Sequence, residues 1–316
     1  MARIGTTIRE VYRRPGVDLL GGHLENWYGI HVVRTTRLDA GVIRVERRDG
    51  PTWVARLFVA GRARSRTDGD AEVLRFLERQ NMQAERCAHP EPVSTLDGRA
   101  VLVTEYVDGR APANTPTVRR NLGGLLGRIH SMQTEPGPTQ RPAGSLHHLP
   151  DYEGAPGEDL VAARALLADL DGRVPPEHQQ VYETLQVLLA KGDTGHGLPE
   201  RFVHPDPART NVLATADGLV LVDWAGAGTG PRLASLAVLL HGAGPEHVAD
   251  VLAGYRAHVG LTADEVDRVE GVLWIRPLWL ACWQCWLAVV SAKVQRAFLP
   301  DPERIAAIAD QVRANP

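Results

Sequence analysis

Cysteine is scarce. The chain has only Cys87, Cys282 and Cys285, which excludes a disulfide framework and leads us to expect a reducing, cytoplasmic setting. An excess of one charge is also missing. With 35 basic and 38 acidic residues the formal net charge is −3, so no strong global field would draw the protein to nucleic acid or to lipid. The opening Met1-Ala-Arg-Ile-Gly-Thr-Thr contains no signal-peptide hydrophobic region, so secretion is not expected. A membrane span is not expected either. Pro277–Val290 is apolar but falls short of the about 20 residues needed, contains Gln284 and lies between Arg276 and Lys293, so it reads as a buried helix. The 31 glycines and 22 prolines are scattered without period, and no internal repeat is visible.

What is present is a change of pattern along 316 residues, a length that supports a substantial core and two lobes. Ile30–Thr35, Gly41–Glu46 and Trp53–Val59 are rich in valine and isoleucine and are separated by turn-forming stretches, which predicts an antiparallel sheet. Asp70–Arg79 carries Val73, Leu74 and Leu77 at helical spacing, and further strands are expected near Glu91–Ser94 and Ala100–Tyr106. After Val107-Asp-Gly109 the pattern turns helical, with Leu122, Leu125, Leu126 and Ile129 on one face of Val118–Met132. Thr134–Gly157 is crowded with proline and glycine and reads as a loop. Helices are expected over Asp159–Leu170 and Glu177–Leu189, then over 232–242, 246–258, 263–296 and Glu303–Val312. The expected fold is α+β and bilobal: a sheet-rich lobe over 1–107 and a helical lobe over 108–316, with a nucleotide between them.

The chemistry concentrates in Arg201-Phe-Val-His204-Pro-Asp206-Pro-Ala-Arg-Thr-Asn211, followed by Gly218-Leu-Val-Leu-Val-Asp223-Trp224. The apolar runs Asn211–Ala214 and Leu219–Val222 flank the turn Thr215-Ala-Asp-Gly218, a hairpin that would return Asp223 to Asn211. One carboxylate and one amide could then share magnesium, a cation that prefers hard oxygen donors. Asp206 would receive or orient a hydroxyl proton, and His204 is grouped with it, more as a brace than as a ligand. Each residue also has a purely structural reading, as a turn former or a cap.

This region resembles the aminoglycoside phosphotransferase family, small-molecule kinases with a protein-kinase-like fold. The matching residues are His204, Asp206, Asn211, Asp223 and Trp224, supported by Ala225-Gly-Ala-Gly-Thr-Gly-Pro231 and Leu122-Gly-Gly-Leu-Leu-Gly-Arg-Ile-His130. The resemblance runs over nearly all the chain from about residue 30. It implies ATP and Mg2+ as cofactors, with GTP left open because base recognition would be mainly by backbone. Arg56 stands where the family normally has the phosphate-holding lysine, and Glu72 or Asp70 would pair with it, Glu72 being favoured for its reach. Thr104, Glu105, Tyr106 and Val107 would form the adenine-contacting connector, and Asp39-Ala-Gly-Val42 the loop over the phosphates. Pro205 and Pro207 depart from the family pattern and stiffen the loop around Asp206.

Trp279, Trp283 and Trp286 follow helical steps and share a face. Core packing is the first reading; the second is that one or two of them line an acceptor pocket. Aromatic walls would suit a sugar face, a flat heterocycle or a hydrophobic peptide better than a highly cationic aminoglycoside. Cys282 and Cys285 have metal-like spacing without a second thiol pair, and burial in a helix fits them better. The expected activity is therefore ATP-dependent phosphorylation of a hydroxyl on a small molecule or secondary metabolite. The alternatives are a peptide serine or threonine kinase and a catalytically weak nucleotide-binding pseudokinase. The acceptor is the only partner expected, without nucleic acid or membrane, for a monomer or homodimer.

Overall fold

In the computed structural model, residues 16–134, 137, 139–146, 157–291 and 298–315 are described. A single turn of 3-10 helix, Val17–Leu19, leads into α1 (Leu20–Tyr28), which the valine-rich pattern of the first lobe gave no reason to expect. Then come β1 (Val32–Asp39), β2 (Val42–Arg47), β3 (Trp53–Leu57), α2 (Arg64–Arg79), β4 (Val93–Leu96) and β5 (Arg99–Glu105). The strands form one antiparallel sheet in the order β1-β2-β3-β5-β4. Strand alternation divides the side chains of β3 between two faces. Trp53, Ala55 and Leu57 are buried in a small core with Leu20 and Leu24 of α1. Val54 and Arg56 therefore point the other way, into the cleft.

The helical lobe begins with α3 (Pro116–Ser131), where Thr115 caps the Val118 N–H and Pro116 occupies the first turn. It continues with α4 (Glu158–Asp169), α5 (Pro176–Leu188), β6 (Glu200–Val203), β7 (Val212–Thr215), β8 (Gly218–Leu221), β9 (Gly228–Pro231), α6 (Arg232–Ala243), α7 (Val248–Tyr255), α8 (Ala263–Leu273), α9 (Ile275–Ser291) and α10 (Pro302–Ala314). The predicted hairpin is β7–β8, and β6 pairs with β9 to make a second two-stranded sheet that was not anticipated. α3 and α7 cross at backbone distance because Gly123, Gly127 and Gly254 lie at the contact: a Cβ on Gly254 would meet the Arg120 carbonyl oxygen at 1.8 Å.

The single long helix expected over 263–296 is two helices that break at Trp274, and 292–296 lie outside the described residues. Pro277 explains the break, because it lacks an N–H and is tolerated in the first turn of α9 but not in the interior of a continuous helix. Ala263–Val290 is, among the described residues, the stretch long and apolar enough by composition to cross a membrane, and 72 % of its most apolar part is buried in the protein. The large core joins the two lobes, with Phe76 of α2 edge-on to Phe202 of β6 at 5.4 Å. The described part of Thr134–Gly157 is irregular.

Candidate active site

The hairpin pairs Val212 with Leu221 and Thr215 with Gly218. Beyond its open end the Val222 N–H donates to the Asn211 carbonyl at 2.9 Å. Asn211 and Asp223 thus arrive at the same part of the cleft between the lobes, which both line together with Arg56 and Asp206. The Asn211 amide nitrogen donates to the Asp206 carbonyl at 2.8 Å, so its oxygen is the atom left for a cation.

Asp223 adopts φ 67°, a left-handed conformation that aspartate tolerates better than most residues. The conformation is held from beneath by Glu85, whose Oε1 accepts the N–H of Asp223 at 2.9 Å and of Trp224 at 3.3 Å. Its Oε2 accepts the Thr104 hydroxyl at 3.3 Å. Burial pushes the Glu85 carboxyl above the usual range, and neighbouring Arg56 opposes that rise. Trp224 anchors the next position: its indole N–H donates to the Leu221 carbonyl at 2.8 Å, and its ring stacks on Phe202.

His204 is fully buried and both ring nitrogens are engaged. Nδ1 accepts the Asp206 N–H at 3.1 Å, so the proton sits on Nε2, which donates to the Val222 carbonyl at 3.1 Å. Burial pushes its pKa below the ordinary imidazole value although Asp223 and Asp206 are near. His204 braces the loop to the hairpin; grouped by sequence with the proton-accepting residue, it has no nitrogen left for that role. Asp206 does face the cleft. Its Oδ2 accepts from Arg276 at 2.9 Å, whereas its Oδ1 is buried without a hydrogen-bond partner among the described residues. Leaving a carboxylate oxygen in that state costs free energy, and a hydroxyl proton is the partner its position offers.

The carboxylate expected to pair with Arg56 is corrected. Arg56 Nη2 lies 3.0 Å from Asp223 Oδ1 and shares a narrow recess with Glu85. Glu72 pairs with Arg75, one turn along the outer face of α2. Asp70 is buried and accepts from Arg62 at 2.8 Å, Arg141 at 2.6 Å and the Gly226 N–H at 3.2 Å. Helical phase is the reason: the turn that buries Asp70, Ala71, Val73 and Leu74 carries Glu72 away from the sheet. Asp70 instead ties α2 to the backbone just after Asp223.

Of the expected adenine-contacting stretch, Glu105, Tyr106 and Val107 line the cleft, while Thr104 lines the recess below and is taken by Glu85. The N–H groups of Glu105 and Tyr106 donate to the Arg86 and Thr52 carbonyls at 2.8 and 2.9 Å. Val107 therefore offers the first N–H of the connector without a protein partner among the described residues. Asp39 and Ala40 line the cleft from the β1–β2 turn, which Gly41 closes at φ 71°.

One carboxylate and one amide oxygen suit magnesium, which fills its remaining positions with water and phosphate oxygens. Among the described residues no group of three or more His, Cys, Asp or Glu side chains converges as a separate metal cluster. Cys282 and Cys285 are free, and burial raises their thiols to about 12 and about 11, so they stay protonated. All three tryptophans are buried in the core, the first reading; Trp279 and Trp283 also border the cleft, whereas Trp286 turns inward and donates its indole N–H to Asp169 at 2.9 Å.

The model of the phosphotransferase enzyme family (APH) matches residues 35–271, most of the chain and the site from the β1–β2 turn to Asp223, ending before Arg276. The chain belongs to that family. Solved structures share the fold of this phosphotransferase at low identity. Amicoumacin kinase hAmiN, in complex with AMP-PNP, Ca2+ and Ami, superposes with a TM-score of 0.62 at 16% identity over 93% of each chain. A microcompartment-associated aminopropanol kinase gives 0.61 at 17% identity, covering 95% of this chain and 98% of its own. A putative fructosamine-3-kinase from Thermobifida fusca gives 0.56 at 21% identity, covering 93% and 98%. No curated protein matches the sequence.

Two residues of the phosphotransferase site escaped the sequence reading. Glu85 stands in the aperiodic stretch Asn81-Met-Gln-Ala-Glu85, where no spacing singles out a carboxylate. Arg276 was read only as a flank of the apolar segment; a charge at the head of an aromatic stripe was the available signal.

Proposed function

We propose that the protein transfers the terminal phosphoryl group of ATP, with magnesium, to a hydroxyl of a small molecule. The observation that carries this reading is the Asp206 carboxylate, with one oxygen held by Arg276 and the other buried, unpartnered and on the cleft wall. In the reaction the acceptor oxygen forms a bond to phosphorus, the bond from phosphorus to the ADP oxygen breaks, and the hydroxyl proton goes to Asp206 Oδ1. Asn211 and Asp223 would hold magnesium, which when bound compensates phosphate charge. Arg56 would meet the phosphates with its forked guanidinium. The connector backbone around Val107 would receive the base, and Trp279 and Trp283 the acceptor.

Calorimetry of magnesium–nucleotide binding, combined with turnover of Asp206→Ala, tests the reading. Binding should persist while turnover falls by about 10²–10⁴-fold; unchanged turnover would refute the role of Asp206. A second reading, a nucleotide-binding protein with little transfer, draws on the Arg56–Asp223 ion pair, because the charged metal ligand is already partly neutralised. Nucleotide binding indifferent to magnesium would favour it.

A further inference from the structure

Arg56 leaves β3 on the face turned to the cleft, and three carboxylates line the recess beneath it: Asp70, Glu85 and Asp223. Two of them are spent elsewhere. Asp70 accepts from Arg62, Arg141 and the Gly226 N–H. Glu85 gives one oxygen to the N–H groups of Asp223 and Trp224 and the other to the Thr104 hydroxyl. Glu72, turned outward on α2, is paired with Arg75. Among the described residues the ion pair that engages the Arg56 guanidinium is with Asp223. The cation at the phosphate end of the cleft is therefore held by the carboxylate assigned to the metal.

That contact is close but poorly made. Nη2 stands 3.0 Å from Oδ1, yet Oδ1 is buried and receives no aligned hydrogen bond. Triphosphate oxygens would match the planar guanidinium fork better. The two partners also differ in freedom to move. Asp223 carries a short side chain on a backbone pinned at φ 67° by Glu85, whereas Arg56 has a long stem and keeps 20% exposure. The arginine is the member able to change partner. A dication on either Asp223 oxygen would share the carboxylate with this guanidinium, and two cations so close repel strongly where water screens poorly. At the metal position Asn211 brings no charge and Asp206 is paired with Arg276, so Asp223 is the charged ligand a cation needs.

We infer that Arg56 gates the metal site: it holds Asp223 until a triphosphate draws the guanidinium away, so the site accepts a dication together with the nucleotide and accepts either one poorly alone. Arg56 thereby couples the two ligands, each tightening the other by the same factor. The inference rests on the phosphotransfer reading for Asp223 as metal ligand and Arg56 as phosphate contact, but it is measured by binding, without acceptor or turnover.

Mn2+ is the probe, with its free aquo form counted by electron paramagnetic resonance and AMP-PNP as the nucleotide. The wild type should bind Mn2+ alone no better than about 1 mM, and Asp223→Asn should leave that value unchanged. With AMP-PNP present, Asp223→Asn should weaken Mn2+ about tenfold or more. Arg56→Gln should bind Mn2+ alone about tenfold more tightly than the wild type, and the gain should vanish when Asp223→Asn is added. The same variant should weaken AMP-PNP about tenfold and shrink the coupling between metal and nucleotide about tenfold. Arg56→Lys keeps the charge and should bind Mn2+ alone within about threefold of the wild type. Two results would overturn the inference. One is wild-type binding of Mn2+ alone well below 1 mM that Asp223→Asn abolishes, a measurement that needs no Arg56 variant. The other is a folded Arg56→Gln protein with wild-type Mn2+ affinity and coupling. The expected Mn2+ pattern without transfer to any hydroxyl would instead remove the phosphotransfer reading and leave the gate supported.

Discussion

Replacing Glu85 by alanine removes the acceptor beneath the metal-ligand position. The bond from the Asp223 N–H, at 2.9 Å, is of ordinary length, while those from Trp224 and Thr104, both 3.3 Å, are long. A good hydrogen bond to a charged acceptor contributes about 1.5–3 kcal/mol and the long ones about half as much. Relief of a carboxylate that burial already penalises offsets part of the loss, leaving a destabilisation of about 2–3 kcal/mol. For a chain of this size that lowers Tm by about 3–5 °C. Glu85→Gln keeps an oxygen for both N–H groups and should stay within about 1 kcal/mol of the wild type. The effect on function follows from the backbone: without Glu85 the Asp223 N–H loses its acceptor and the φ 67° conformation is less firmly held, so magnesium–nucleotide affinity should fall about tenfold in the alanine variant and about threefold at most in the glutamine one. Urea denaturation and calorimetry read both quantities. An alanine variant as stable as the wild type, with unchanged affinity, would refute the assignment of Glu85 as the support of Asp223.

Gly123→Ala should destabilise by about 3 kcal/mol or more, because its Cβ would stand 2.0 Å from the Val251 carbonyl oxygen across the α3–α7 crossing. Gly124→Ala meets only ordinary contacts at 3.6 Å and beyond, and should be neutral or slightly stabilising in the same denaturation experiment. Burial pushes the pKa of His130 down to about 3, and its Nδ1 lies 2.8 Å from the Tyr255 hydroxyl. The unfolded imidazole takes a proton near pH 6.5 and the folded one does not, so this contribution to stability is complete above about pH 6.5 and is lost as pH falls toward 3. Between pH 7 and pH 5 the wild type should therefore lose about 2 kcal/mol more than His130→Gln, and equal losses would contradict it.

Much of the hairpin and its ligands was legible because the signals are local. Thr215-Ala-Asp-Gly218 makes the turn, Gly218 takes φ 125°, and alternation on either side returns Asp223 to Asn211. The five strand segments and the face of α3 were legible from residue type, turn residues and period, but not the joining of β4 and β5 into one sheet with the first three strands. α1 was not legible, since its sequence contains Gly21 and Gly22 and only Leu20 and Leu24 are buried, against a sheet that has to exist first. Likewise the break at Trp274 is hidden by continuous apolar character on both sides.

Residue type, order and short-range spacing were enough for the family, the two-lobed plan and the hairpin that carries Asn211 and Asp223, but not for Glu85 or Arg276. Tertiary structure alone decided the partnerships. Asp223 rather than Glu72 faces Arg56, Glu85 supports Asp223 from 138 positions away, and Arg276 reaches back 70 positions to Asp206. Those pairs are set by the phase of α2 and by the angle at which α9 meets the loop, and both are fixed only when the cores on either side of the cleft have packed.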